Sequence, residues 1–406
     1  MIKPLDALAD EVNTRWEAVA RSRAAFPALA AEALRDASLT DALTVDALID
    51  ALAAHPDLPR QVDPAGAFGE PPVTVRFEQG FALDVYFWHE PVVAVHNHSF
   101  DGAFLVLAGM SLHVDYELIE DPAPTAAQHA PVRVGDVRQT GAELLRPGDV
   151  RPIEAGLAMI HQVAHLASPC VSIVLRTTPD PADPPIYDVL PPRCALLQSR
   201  YLSEGERRKL DLIGLLFRLR GADATPRVAA LLDDAPDLLA AWGVRTVAHT
   251  TQRLELANEV AAHMAPRPWL DPLLESMAAS DVARVHWKTL PDPNHRLFAM
   301  LAHYVPDPDT RDAIVDQLEP GELFERAAIA WTVELSNAGY FPVALNQLAI
   351  VTLGALLAGL DDPEAAQAMA PHFDGGPPEG LEGYVAQMRT FFNSIPLYQA
   401  LLAEVG

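Results

Sequence analysis

Two histidines separated by one residue, His96 and His98, open the stretch Val95-His96-Asn97-His98-Ser99-Phe100-Asp101-Gly102-Ala103-Phe104-Leu105-Val106-Leu107-Ala108-Gly109. In an extended strand, alternate side chains point to the same face, so both imidazoles aim into one space. Neutral imidazoles converging inside an apolar sheet are costly unless they are hydrogen-bonded or ligate an ion. A transition metal suits such a pair, and hydrogen-bonded interior histidines are the alternative. Seven of the fourteen histidines fall between positions 89 and 165: His89, His96, His98, His113, His129, His161 and His165.

Such a cluster needs a rigid frame, and the neighbouring sequence supplies strands. Val73-Thr74-Val75-Arg76-Phe77 and Ala82-Leu83-Asp84-Val85-Tyr86-Phe87-Trp88 read as strands around a Gln79-Gly80 turn. The histidine strand follows at 92–98, then a strand pair over 104–114 around Gly109. Residues 120–131 read as a surface loop and 132–145 as a hairpin region. Arg146-Pro147-Gly148-Asp149-Val150 is a turn entering a strand, with further strands at 156–165 and 171–176. Many short strands with turn signals predict a small barrel or jelly roll.

Helices flank this region. Leu5, Leu8, Val12, Trp16 and Val19 recur at helical spacing, and a second pattern runs over 26–34. Thr44 is an N-cap for a third helix that His55-Pro56 ends. The Pro-rich residues 181–200 read as a linker. Beyond it, Ser203-Glu204-Gly205-Glu206 opens a helix with Leu210, Ile213, Leu216 and Leu219 on one face. Further helices are predicted near 226–240, 252–264, 269–279, 293–304, 308–318, 321–336, 342–359, 363–370 and 380–403. The expected fold class is α+β. Its parts are N-terminal helices over 1–60 packed on a barrel, the barrel over 61–180, a linker over 181–200 and an all-α domain over 201–406.

The chain has 406 residues and a formal net charge of −26, so nucleic acid and anionic membrane surfaces would repel it. Two cysteines, Cys170 and Cys194, make no disulfide framework and fit a reducing compartment. The N-terminus lacks a basic flank followed by an apolar run, and no apolar run is long enough to span a bilayer. A cytoplasmic globular protein is expected. No phosphate-binding loop, dinucleotide fingerprint, Gly-x-Ser-x-Gly elbow or Cys-x-x-Cys pair is present.

His96-x-His98 on a strand, Gly109 eleven residues on, and a later Pro147-Gly148-Asp149 turn followed by Gly156 and His161 resemble the two motifs of the cupin superfamily. The first motif's glutamate falls at Gly102 or Ala103, so the carboxylate is missing, and its leading glycine falls at Glu90. His161 arrives two residues later than usual in the second motif, and His165 stands where the family often has Asn. Within the cupins, the chain resembles over 72–179 the three-histidine iron dioxygenases of the cysteine dioxygenase (thiol dioxygenase) type, and Ile160-His161-Gln162-Val163 is similar to their His-Arg-Val segment. Their Tyr-Ser-Pro sequence corresponds to Leu175-Arg176-Thr177-Thr178-Pro179, which lacks the tyrosine, and their preceding histidine is Val174. Those departures argue against free cysteine as substrate.

The resemblance implies a jelly-roll barrel, Fe(II) held by His96, His98 and His161, and a homodimer. His165 is the substitute third ligand, since it shares a strand face with His161. The resemblance also implies an arginine, Arg76 or Arg176, neutralising a substrate carboxylate; a guanidinium suits that group bidentately. Three neutral imidazoles leave the full charge on the metal, which favours a small anionic substrate, such as an amino-acid or thiol derivative, together with O2. The rival reading is a cupin that binds metal or ligand without turnover and docks a partner through its helices. An isomerase or hydrolase using Zn, Mn or Ni ranks lower without a carboxylate ligand. His89 and His113 are expected at the rim or surface, Tyr86, Trp88 and Phe104 in the core, and Cys170 buried on its strand. His249, His263, His286, His295, His303 and His372 are expected to be structural.

Overall fold

A computed structural model of the chain describes residues 2–62, 69–89, 94–121, 130–284, 290, 292–373 and 378–403. His129, His286, positions 92–93 of the expected histidine strand and most of the expected 120–131 loop lie outside them. The chain forms two compact units: Met1–Thr140 with Leu145–Asp281, and Gly141–Leu144 with Val282–Gly406.

The first unit begins with α1 (Lys3–Ala18), α2 (Phe26–Asp36), α3 (Leu39–Ala42) and α4 (Val45–Ala53). Pro4 and Pro27 sit in the first turns of α1 and α2, where the absent N–H costs nothing. Thr44 caps α4 by accepting from the Ala47 N–H at 3.3 Å. Among the described residues, eleven strands follow: β1 (Pro72–Phe77), β2 (Phe81–Trp88), β3 (His96–His98), β4 (Gly102–Ala108), β5 (Ser111–Glu120), β6 (Val132–Leu145), β7 (Val150–Ile153), β8 (Gly156–His165), β9 (Cys170–Thr177), β10 (Tyr187–Leu190) and β11 (Cys194–Leu197). They build a five-stranded sheet, β1-β2-β9-β4-β7, and a closed barrel, β10-β11-β6-β5-β8-β3.

The sheet is buried on both faces, and the period of two sorts its residues. Phe81, Leu83, Val85, Ala103, Leu105, Ile173 and Leu175 share one core with Leu5, Leu8, Val12, Trp16, Phe26 and Leu34 of the N-terminal helices. The opposite face presents Tyr86, Phe104, Val106 and Val174, which pack with Phe100 and Ile153. Alternation therefore gives one face to the helices and the other to the histidines.

The Pro-rich stretch expected as a linker instead carries β10 and β11, two members of the barrel. Its prolines, at 181, 184, 185, 191 and 192, lie outside the strands, where no ladder N–H is needed. The first unit continues through α5 (Glu204–Arg220), α6 (Thr225–Asp233), α7 (Asp237–Thr251), α8 (Leu254–Ala262) and α9 (Leu270–Arg284). Ser203 and Glu206 form a capping box at the start of α5. Leu190, Cys194 and Leu196 share a core with Leu210, Ile213, Phe217 and Val244, so the helices over 204–281 pack on barrel strands rather than joining one domain over 201–406. The single helix expected over 226–240 is two, because Pro236 cannot continue α6 and instead precedes α7.

The second unit holds α10 (Pro293–Tyr304), α11 (Pro308–Leu318), α12 (Phe324–Asn337), α13 (Gln347–Leu357), α14 (Asp362–Met369), α15 (Leu381–Asn393) and α16 (Pro396–Ala403). Asp292, Asp307, Asn346 and Asp361 cap α10, α11, α13 and α14 through their side chains. Pro396 divides the expected 380–403 helix into α15 and α16. Among the described residues, no helix is long and apolar enough to cross a membrane.

Candidate metal centre

β3 is only three residues long, and its neighbours hold it in place. His96 pairs with His161 of β8 on one side and with Asp188 of β10 on the other. Asn97, fully buried between the two histidines, accepts from the Tyr187 N–H at 2.7 Å and donates to the Pro185 carbonyl at 3.0 Å. The stretch 181–200 thus pins the strand that aims His96 and His98 to the other side.

His96, His98 and His161 are all buried, and their candidate ligand atoms lie within 4.8 Å of one another. Nε2 of His98 is 2.8 Å from Nε2 of His161. Two nitrogens each about 2.0–2.1 Å from one ion sit about 3 Å apart in a facial arrangement, so the spacing fits shared ligation. The other ring nitrogens set the tautomers. His96 Nδ1 meets the Ala94 carbonyl at 2.7 Å, which accepts only from N–H, leaving the Nε2 lone pair available. His161 Nδ1 is 2.8 Å from His113 Nε2, and with the proton on His161 Nδ1, donating to His113, the His161 Nε2 lone pair is likewise free. Burial pushes all three imidazolium pKa values below the ordinary histidine value, His98 and His161 farthest, with neighbouring imidazoles adding to the shift. The rings are neutral at pH 7 and fit a divalent metal as donors.

The missing carboxylate has a structural reason. A Cβ on Gly102 would stand 2.1 Å from the Leu175 carbonyl oxygen, so no side chain fits there. Ala103 faces the helical core instead of the histidines. Among the described residues lining the cavity beside the triad, none is acidic or carries an arginine or lysine. Its walls include Tyr86, Trp88, Phe100, Phe104, Ile153 and Val174; Tyr86 and Phe104 belong to a buried apolar cluster with Trp88 packed against it, as expected, and all three also bound the cavity.

The two arginines differ from expectation. Arg76 ion-pairs with Asp6 at 3.1 Å, Asp10 at 3.2 Å and Glu78 at 2.5 Å, and it is not a cavity residue. A bulge between Thr74 and Arg76 breaks the β1 alternation. Arg176 is nearer, with its guanidinium over the Phe100 ring, but Nε donates to Asp84 at 2.6 Å and that carboxylate neutralises it. His113, expected at the rim or surface, is 1 % exposed and backs His161, with Asp115 3.7 Å from its Nδ1. His165 lines the cavity but is not among the three clustered ligands. Its Nδ1 is 3.0 Å from Ser111 Oγ, its partner across the β5–β8 ladder. His89 is exposed, Cys170 is buried, and His295 pairs with Glu334 at 3.0 Å.

Sequence reasoning passed over Asn97 and Ser111 and misplaced His113. Ser111, His113 and Asp115 alternate on β5 opposite His165, Val163 and His161, and that period of two was the available signal. Nothing local marked Asn97.

No family model matches the chain, and no curated protein does. Among solved structures, it is similar to a hydroquinone 1,2-dioxygenase in complex with Cd2+ and 4-hydroxybenzonitrile, at 16% identity and a TM-score of 0.20, over 27% of this chain and 63% of that one. It is also similar to a cupin-2 domain containing protein from Shewanella frigidimarina, at 12% identity and a TM-score of 0.19, over 32% and 89% of the two chains. An oxalate oxidase is similar at 14% identity and a TM-score of 0.18, over 26% and 45%. Likeness at this level decides neither metal nor substrate. His96, His98 and His161, converging from barrel strands β3 and β8 toward the face of the sheet opposite the helices, have the arrangement that the resemblance to cupins implies.

Proposed function

We propose that the chain is a metal-dependent oxygenase using Fe(II) and O2 on a small substrate with an anionic end and an apolar body. The observation that carries this reading is the cluster of three buried, neutral imidazoles with no carboxylate among the described residues lining the cavity beside it. Bound there, Fe(II) would supply one-electron redox chemistry toward O2. His96, His98 and His161 would hold it, with Ala94 and His113 orienting His96 and His161 from behind. Because the three donors are neutral, a substrate anion complements the site, whether carboxylate, enolate or thiolate. Trp88, Phe104 and Val174 bury the remainder of the substrate and exclude water. With Arg76 held by α1 and Arg176 by Asp84, a free amino acid lacks its second anchor, which favours a substrate whose body is apolar.

The test is anaerobic metal analysis of the full chain, followed by oxygen uptake against a panel of small carboxylic acids and thiols. One Fe(II) per chain and substrate-dependent uptake are expected. Metal binding without uptake would support the non-catalytic ligand-binding reading, and a chain that binds no metal would defeat both.

A further inference from the structure

His165 lies four residues beyond His161 on β8, facing the same cavity and roughly 13 Å along the strand. That distance removes it from the metal, yet its surroundings are built. The residue is 3 % exposed, and its ring stacks on Trp88 with centroids 4.5 Å apart. Its Nε2 has no hydrogen-bond partner among the described residues. A buried polar nitrogen left unpaired costs about 1–3 kcal/mol, and most such groups in native proteins are satisfied. Burial pushes the imidazolium down to about 3, so the ring is neutral at pH 7 and carries one proton.

Its neighbours place that proton. Ser111 Oγ has two acceptors in reach, His165 Nδ1 at 3.0 Å and Cys170 Sγ at 3.8 Å. The Cys170 thiol donates toward the Met110 and Ala167 carbonyls, so it does not donate to Ser111. Nitrogen is the nearer and stronger acceptor, and the Ser111 hydroxyl donates to it. With the Ser111 proton assigned to the shorter of its two contacts, the imidazole proton is on Nε2, which has no acceptor among the described residues.

We infer that His165 Nε2 donates to an oxygen at the end of the substrate remote from the metal, which makes the substrate an acid with a carbonyl or similar acceptor beyond an apolar spacer. This rests on the metal centre proposed above. With both rings standing roughly square to the strand, the roughly 13 Å spacing less a metal–oxygen bond of about 2.1 Å and a hydrogen bond of about 2.9 Å puts the ligand's two oxygens about 8 Å apart. The walls between, Phe104, Val163 and Val174, match methylene groups rather than further polar atoms.

The matched probes are 6-oxoheptanoate and heptanoate, which differ by one carbonyl. Each is titrated calorimetrically into the full chain loaded with Zn(II), which allows no turnover. The keto acid binds about tenfold tighter to the natural chain. His165→Phe reduces the preference to about twofold or less, and so does His165→Asn, whose shorter amide withdraws the donor. The second variant decides the matter if the first does not fold. Zn(II) binding with no preference for the keto acid, or with a preference that both variants retain, overturns the inference and leaves the metal centre standing. Failure to bind Zn(II) overturns both.

Discussion

The barrel and the second unit treat buried polar groups differently. In the second unit, Thr332 Oγ1 returns its proton to the Ala328 carbonyl at 2.7 Å or shares one with the Tyr398 hydroxyl at 2.7 Å. Thr352 donates to Leu348 at 2.8 Å, His295 faces Glu334 at 3.0 Å, and Arg311 donates to the Leu301 carbonyl at 3.2 Å. Each of these groups is closed by its own helices. In the barrel, His98 and His161 turn Nε2 atoms toward each other, and His165 Nε2 meets no acceptor among the described residues. These second-unit groups serve the packing of their own helices, whereas the ring nitrogens on β3 and β8 face the cavity.

Substitutions should separate the two behaviours. The largest effect is expected from Phe298→Ala in the second unit, where the fully buried ring contacts Trp331 and Tyr398. About 3–5 kcal/mol of that unit's stability should be lost, read by denaturant unfolding, with Zn(II) affinity unchanged. A parallel fall in metal affinity would blur the contrast. His113→Asn should weaken metal binding about 10–100-fold by chelator competition, because it removes the partner behind His161. Unchanged affinity would make His113 a packing residue only.

Acid should act on the metal-free barrel through its buried histidines. The unfolded chain takes up protons below about 6.5, while His165 resists protonation until about 3 in the folded chain. The unfolded state then binds more protons, so stability falls as pH drops through that window, by about 1.4 kcal/mol per pH unit for each such histidine. Urea midpoints between pH 7 and pH 5, a range of about two units, should fall less steeply in His165→Phe than in the natural chain. Equal slopes would mean that this ring is not held neutral. The smallest effect is expected from Arg76→Gln, whose ion pairs are partly solvated. It should cost about 1 kcal/mol or less and leave metal affinity and oxygen uptake as they are.

The histidine strand was legible because His96 and His98 obey the period of two, and His161 followed from the second motif. The gaps have physical causes. A sheet buried on both faces gives no polar alternation, and β2 is buried from Phe81 to Phe87, so nothing marked which of its core residues, such as Tyr86, also line the cavity. β10 and β11 are four residues each between prolines, too short for a period to show. Arg76 is claimed by Asp6 and Asp10, far away in sequence, and no local pattern announces that.

The most direct test is metal stoichiometry in three chains: the natural one, His98→Ala and His161→Ala. After anaerobic loading and desalting, the natural chain should retain one metal ion. Each variant should retain little, with affinity lowered several-hundredfold, if the ~10–16 kcal/mol of a structural zinc site is shared among its ligands. Full occupancy in both variants would show that the imidazoles meeting between the sheet and strands β3 and β8 do not hold the ion.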